Sequence, residues 1–199
     1  FNAPFCELKQ KIESGVLGDI ETAYATFISS GPFFHRAIDQ APSPVPEWWF
    51  DRELTGGGAL VDLGCHLINL LRWYFGEIVN INSYLGHRFN IDLEDHAICV
   101  VQFESGTTVA INVGWFSQVY ELKIDLFGSV SNISAKHSPE NRLIAAIRML
   151  TTGTSKFHWP HLIELQYFTH CLMQDLKPSP SGEDGLRDLK AIELAYKNA

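Results

Sequence analysis

GGGALVDLGCHLINLLRW, running from Gly56 to Trp73, is the stretch on which the reading of the whole chain turns. It opens on three glycines, is otherwise mostly apolar, and keeps Asp62, His66 and Asn69 in its middle. At about 100° of turn per residue these three fall at i, i+4 and i+7, on one stripe of a helix, while Leu60, Val61, Leu63, Leu67, Ile68, Leu70 and Leu71 cover the rest. The spacing predicts a helix over about 56–75, closed by Gly76 and apolar almost all round, hence buried. An unpaired carboxylate there would cost several kcal/mol, so the polar stripe must face a polar partner, water or a ligand. Gly58 and Gly64 each cost a helix interior about 1 kcal/mol relative to Ala, and they leave the backbone open to close approach.

Two readings of that stripe stand side by side. In one, Asp62 is bonded to His66 or to a nearby backbone amide and serves packing alone. In the other, His66, whose imidazole ordinarily titrates near pH 6.5, exchanges a proton with a substrate while Asp62 holds the substrate or tunes the ring. Spacing does not decide between them.

On the N-terminal side, residues 4–14 read as a short helix with Phe5, Leu8 and Ile12 on one face, followed by a strand over about 19–29. Pro32, Pro42, Pro44 and Pro46 make 31–46 a flap-like loop. On the C-terminal side, period two takes over from about 78 to 134, clearest in Glu121-Leu122-Lys123-Ile124-Asp125-Leu126. Glu104-Ser105-Gly106-Thr107 turns between strands at 95–103 and 107–117, within an expected meander of four or five strands. Ser138-Pro139-Glu140 reads as the start of a helix to about 151, and further helices are expected over 161–174 and 182–197. The order predicts one α+β domain over 1–199, an open, mainly antiparallel sheet with helices packed on one face. No strand–turn–helix of the GxGxxG kind occurs, so no complete nucleotide-binding domain is expected in this chain.

The alternation Val109, Ile111, Val113 and Trp115 points one face of a strand at the helices, while Ala110, Gly114 and Phe116 leave the other only weakly polar. A sheet apolar on both faces should be covered on both, which predicts a homodimer or higher homo-oligomer through the free sheet face. The composition suits a packed core, being 46% hydrophobic and 12% aromatic over 199 residues. A formal net charge of −8 argues against nucleic acid and against anionic membrane surfaces. Cys6, Cys65, Cys99 and Cys171 are scattered in apolar runs, as reduced buried thiols in a cytoplasmic protein would be. No uncharged apolar run of about 18 residues and no signal-peptide layout is present, and a start at Phe1 reads as a piece of a longer protein.

Four separated motifs then carry a resemblance. Phe1-Asn2-Ala3-Pro4 through Gly15-Val16-Leu17-Gly18-Asp19-Ile20, Trp48-Trp49-Phe50-Asp51 followed by GGGALVDLGCH, Leu93-Glu94-Asp95-His96-Ala97 with Phe103-Glu104-Ser105-Gly106, and Pro180-Ser181-Gly182-Glu183-Asp184-Gly185-Leu186 occur in order over nearly the whole chain. Together they resemble the C-terminal domain of the Gfo/Idh/MocA family of NAD(P)-dependent oxidoreductases, of the GAPDH-like C-terminal type. The resemblance implies a substrate-binding and oligomerisation domain, with NAD or NADP bound mainly by an N-terminal Rossmann domain that is not in this chain. It places His66 on the family's acid/base position and Asp62 on a position that commonly contacts substrate hydroxyls. It further implies a sugar, polyol or nucleotide-sugar substrate. Trp49 stands where many relatives have Arg, exchanging a charged donor for an aromatic platform, and Asn69 replaces a frequent Asp, so both are candidate substrate-binding residues of altered chemistry. Gly128-Ser129-Val130-Ser131 lacks the usual second glycine, which concerns a turn.

Elsewhere, His35 and Arg36 on the flap are candidates to reach over a substrate, against the alternative of a solvated loop. His158 and His161 are split by Pro160 and have no carboxylate or thiol close in sequence, so no metal site is expected. Two rivals to a dehydrogenase half-site remain: a non-catalytic binding or assembly module with the same fold, and, behind it, a metal-dependent hydrolase or isomerase built on Asp62 and His66.

Overall fold

The computed structural model describes residues 1–33, 45–137, 147, 149–151, 153 and 159–199. Helix α1 (Ala3–Glu13) and strand β1 (Ile20–Ile28) come first; a 3₁₀ turn at Glu47–Phe50 leads into the one-turn helix α2 (Arg52–Thr55). A π-helical turn (Leu60–Gly64) then runs into α3 (Cys65–Phe75). Strands β2 (Ile78–Gly86), β3 (His96–Phe103), β4 (Thr108–Gly114), β5 (Glu121–Gly128) and β6 (Asn132–Lys136) follow, then α4 (Trp159–Met173) and α5 (Gly182–Lys197).

The strands form one open, mixed six-stranded sheet in the order β2-β3-β4-β1-β5-β6. The expected hairpin is present, with Gln102 opposite Thr108. The expected meander is interrupted: β1 lies between β4 and β5, parallel to β4 and antiparallel to β5. Parallel neighbours need a crossover, and the segment from β1 through α3 supplies it. One register row, Ser83, Cys99, Ile111, Ala25, Ile124 and Ala135, crosses all six strands, and every member is buried beneath the helices. Ala23 and Ala25 keep the central strand low under α3, whose Leu67, Ile68 and Leu71 are fully buried.

Helices α1, α3 and α5 cover this face. The opposite face carries the row Asn82, Val100, Ala110, Tyr24, Asp125 and Ser134, apolar at its centre and polar at its rims. Tyr24, Ile98 and Val100 are exposed there. The helical run Arg52–Phe75 is apolar and long enough by composition to cross a membrane, yet half of that window is buried inside the domain. Its apolarity is that of a core helix.

The helices expected over 161–174 and 182–197 are observed as α4 and α5. In α4 Pro160 occupies the first turn, where its missing N–H is tolerated. The single helix expected over 56–75 is divided: the three glycines are not helical, and the helix proper starts after them with a wide π turn. The start of the helix expected at Ser138, and most of the proline-rich flap with His35 and Arg36, lie outside the described residues.

Candidate functional site

The π turn and α3 present the three stripe residues to three different surroundings. Asp62 is half-buried, and its Oδ2 accepts a hydrogen bond of 2.9 Å from Nε1 of Trp115, a residue only 1% exposed. The backbone N–H of Trp115 in turn donates to the carbonyl of Asp95 at 2.8 Å. The recorded partner of the Asp62 carboxylate is thus an indole 53 positions away. π turns in helices are frequent at functional positions, and this one carries Asp62.

His66, one turn further on, is exposed, with its ring 5.9 Å from that of Phe27. It opens on a cleft of about 610 Å³ lined by Cys65, His66, Asn69, Gly182, Gly185, Leu186, Asp188 and Leu189. The cleft therefore lies between α3 and the first two turns of α5, with Asp62 outside its lining. Cys65 shares the cleft but is no nucleophile at neutral pH: burial first, and the charge of Asp62 second, push its thiol up to about 11.

Asn69 lines the cleft while its amide donates to Asp188 Oδ2 at 2.7 Å. The other Asp188 oxygen pairs with Nη1 of Arg72, and both residues are buried, at 6% and 9% exposed. Arg72 also grips Glu77 with two hydrogen bonds, of 3.1 and 2.7 Å, and donates to the Asp184 carbonyl at 3.1 Å. Desolvation opposes the Arg72 charge, but the Glu77 and Asp188 carboxylates outweigh it and hold its pKa above the ordinary value. Glu77 is lowered, first by its hydrogen bond from Arg72. This network ties the two walls of the cleft together.

Two of the three glycines, Gly57 and Gly58, are explained by close packing. Gly58 N and Leu60 N donate to Glu94 Oε1 at 2.9 and 3.0 Å, Ala59 N donates to the Glu94 carbonyl at 3.0 Å, and the Tyr196 hydroxyl donates to the same Oε1 at 2.6 Å. A Cβ on Gly58 would lie 2.0 Å from the Glu94 carbonyl oxygen, and one on Gly57 would lie 2.0 Å from the Tyr196 hydroxyl. Gly56 faces open space and has a φ of +79°, whereas the space that Gly57 and Gly58 leave is filled by the protein's own groups. At Gly64 it is filled by Leu60, whose Cδ1 lies 2.7 Å from where a Cβ would be.

A glycine-rich helix start is an anion site in principle. Here a carboxyl of the same chain occupies it, and the amides of Gly58, Ala59 and Leu60 are already bonded to Glu94. Trp49 is half-buried in the 3₁₀ turn, its ring 5.8 Å from the exposed Trp48. The Phe33 ring centroid lies 5.9, 4.2 and 6.3 Å from those of Phe50, Phe89 and Trp115, an aromatic cluster that includes the indole bonded to Asp62. Among the described residues no group of three His, Cys, Asp or Glu could hold a metal ion.

The family model of the GFO/IDH/MocA C-terminal domain matches residues 5–134, which contain β1 to β5, Asp62, His66 and Trp115. The chain belongs to that family. This GFO/IDH/MocA domain is 24% identical to the D-xylose 1-dehydrogenase [NADP(+)] of Haloarcula marismortui, over 95% of the chain and 53% of the relative. It spans about half the length of the curated relatives it matches. Among solved structures, a myo-inositol dehydrogenase from Corynebacterium glutamicum superposes with a TM-score of 0.77 at 15% identity, covering 100% of this chain and 60% of that one. The WlbA dehydrogenase from Bordetella pertussis, solved with NADH and UDP-GlcNAcA, gives 0.72 at 19% identity, covering 100% and 59%. At such identities the structures establish the fold of the domain.

Trp115, Glu94, Asp188 and Arg72 are the residues that sequence reading did not assign to the site. Trp115 carried a usable signal: its strand alternation aimed it at the helices, and a buried indole N–H needs an acceptor.

Proposed function

We propose that this domain is the substrate-binding and oligomerisation half of an NAD(P)-dependent oxidoreductase acting on a sugar, polyol or nucleotide-sugar hydroxyl. His66 is its acid/base. The observation that carries the reading is the position of His66: an exposed imidazole at the mouth of a cleft of about 610 Å³, in a chain of this family. The nicotinamide, held by a domain outside this chain, supplies the two-electron chemistry, so this chain alone is inactive. The names of the matched dehydrogenases support the substrate class.

Within the chain, His66 takes the proton from the reacting hydroxyl, which spares the substrate an alkoxide in free form. Asp62, with one oxygen held by Trp115, offers acceptor capacity to neighbouring hydroxyls. Asn69 and Trp49 add an amide and an aromatic face. The free sheet face, with Tyr24, Ile98 and Val100 exposed at its centre, meets a second copy of the chain. Absence of a membrane-anchoring or nucleic-acid role, and a cytoplasmic location, complete the reading.

The test is reduction of NAD⁺ or NADP⁺ by a panel of sugars and polyols, followed by absorbance, in protein comprising this domain and its nucleotide-binding partner domain. His66→Ala should lower turnover by about 10²- to 10⁴-fold with thermal stability unchanged. Unchanged turnover removes His66 from the reaction. Sedimentation at micromolar concentration tests the assembly, and a mass equal to one chain defeats it.

A further inference from the structure

Glu94 is 1% exposed, and its carboxyl sits against the start of the helix that carries the candidate site. Three successive backbone amides, those of Gly58, Ala59 and Leu60, end on Glu94: the first and third on Oε1, the second on its carbonyl. These are orphan donors of a helix start, and a carboxyl brought from 34 to 36 positions away satisfies them where a local cap ordinarily would. Its negative charge also suits the positive end of the helix dipole. Tyr196, from the last turn of α5, closes over the same oxygen, while Oε2 has no recorded partner.

The next residue links Glu94 to the site. The carbonyl of Asp95 accepts from Trp115 N, and Trp115 Nε1 donates to Asp62 Oδ2. Asp62 N donates to the Gly58 carbonyl, which returns to the helix start. Glu94, Asp95, Trp115, Asp62 and Gly58 therefore stand in one closed ring of covalent chain and hydrogen bonds. In such a ring the first turn cannot shift without moving Asp62 against Trp115.

We propose that Glu94 is a positioning residue: by clamping Gly58 and Leu60 it sets where the π turn sits, and through Asp95 and Trp115 it fixes the Asp62 carboxylate. The proposal deepens the site reading above and shares its assumption that Asp62 matters. Its test needs no substrate, so its failure would leave the His66 experiment standing, and failure of the dehydrogenase reading would leave this coupling measurable.

The experiment compares the 199-residue chain with Glu94→Gln, which keeps the shape and removes the charge. The Trp115 indole N–H resonance, assigned with Trp115→Phe, reports the Asp62 bond. Hydrogen exchange at Gly58 and Leu60 reports the clamp, and exchange at Cys99 and Ile111 in the sheet centre reports global stability. Exchanging a charged for a neutral acceptor should speed exchange at Gly58 and Leu60 by about ten-fold, leave Cys99 and Ile111 unchanged, and move the indole resonance. An unmoved indole resonance in a folded variant overturns the proposal. So does a uniform rise at all four amides, which would make Glu94 a stability residue only. If Glu94→Gln does not fold, Tyr196→Phe removes one donor from Oε1 and leaves the charge; it should move the same indole resonance, and no movement overturns the proposal equally.

Discussion

Replacing Asp188 with Ala tests whether the walls of the cleft are held by a desolvated ion pair. Asp188 and Arg72 are 6% and 9% exposed, so the substitution strands a buried guanidinium donor, while the Asn69 amide that Asp188 accepts from at 2.7 Å is left to the cleft. Removing one partner of a buried pair typically costs about 3–5 kcal/mol. The guanidinium keeps its two bonds to Glu77, of 3.1 and 2.7 Å, and its 3.1 Å bond to the Asp184 carbonyl, which places the loss at the lower end, about 3 kcal/mol. For a domain of this size that is a fall in Tm of about 6–12 °C. Urea unfolding followed by tryptophan fluorescence should show a lower midpoint with an unchanged slope. The double variant Arg72→Met with Asp188→Leu exchanges the pair for apolar side chains of similar reach and should recover to within about 1 kcal/mol of wild type. A single-variant loss below about 1 kcal/mol, or a double variant as unstable as the single, would refute the argument that the pair is dry.

Gly58→Ala puts a Cβ 2.0 Å from the Glu94 carbonyl oxygen, a backbone atom that cannot rotate away, so thermal unfolding should come earlier by several degrees while Gly56→Ala, strained only by its φ of +79°, costs less. Cys65 should resist iodoacetamide at pH 7–8 although it lines the cleft, and its alkylation should rise only as pH nears 11; rapid labelling at pH 7 would contradict the burial and Asp62 effects. Acid should destabilise the protein in a defined window. Asp184 is lowered to about 2, first by the Ser181 backbone N–H and then by its hydroxyl and Arg187, and Glu77 is lowered first by the hydrogen bond from Arg72. Groups with depressed folded pKa values stabilise above their unfolded values and lose that contribution as pH falls through the folded ones, so stability should drop between about pH 4.5 and 2. Asp184→Asn should flatten that drop, by a small amount because the group is solvent-screened.

What was legible in the sequence is what local periodicity encodes. Seven apolar residues around one polar stripe gave a buried helix with Asp62, His66 and Asn69 on it, and strict alternation gave the strands and aimed Trp115 at the helices. Gly76, read as the stop of the helix, is indeed the C-cap of α3, with a φ of +86° that glycine adopts freely. Where the glycines lay was equally plain, but not their purpose. Read alone, Gly58 and Gly64 suggested room for a ligand, because a missing side chain says that something approaches and not what.

Tertiary structure alone decided the partners. Asp62 pairs with Trp115 across 53 positions, Gly58 with Glu94 across 36, and Asn69 with Asp188 across 119. It also placed β1 inside the strand order, parallel to β4, where sequence adjacency argued for an unbroken meander. The physical reason is common to all of these. A side chain's face is fixed by backbone turn per residue, a local quantity, whereas which buried donor meets which acceptor depends on how whole elements stack, and that is settled by area and satisfaction summed over the entire core.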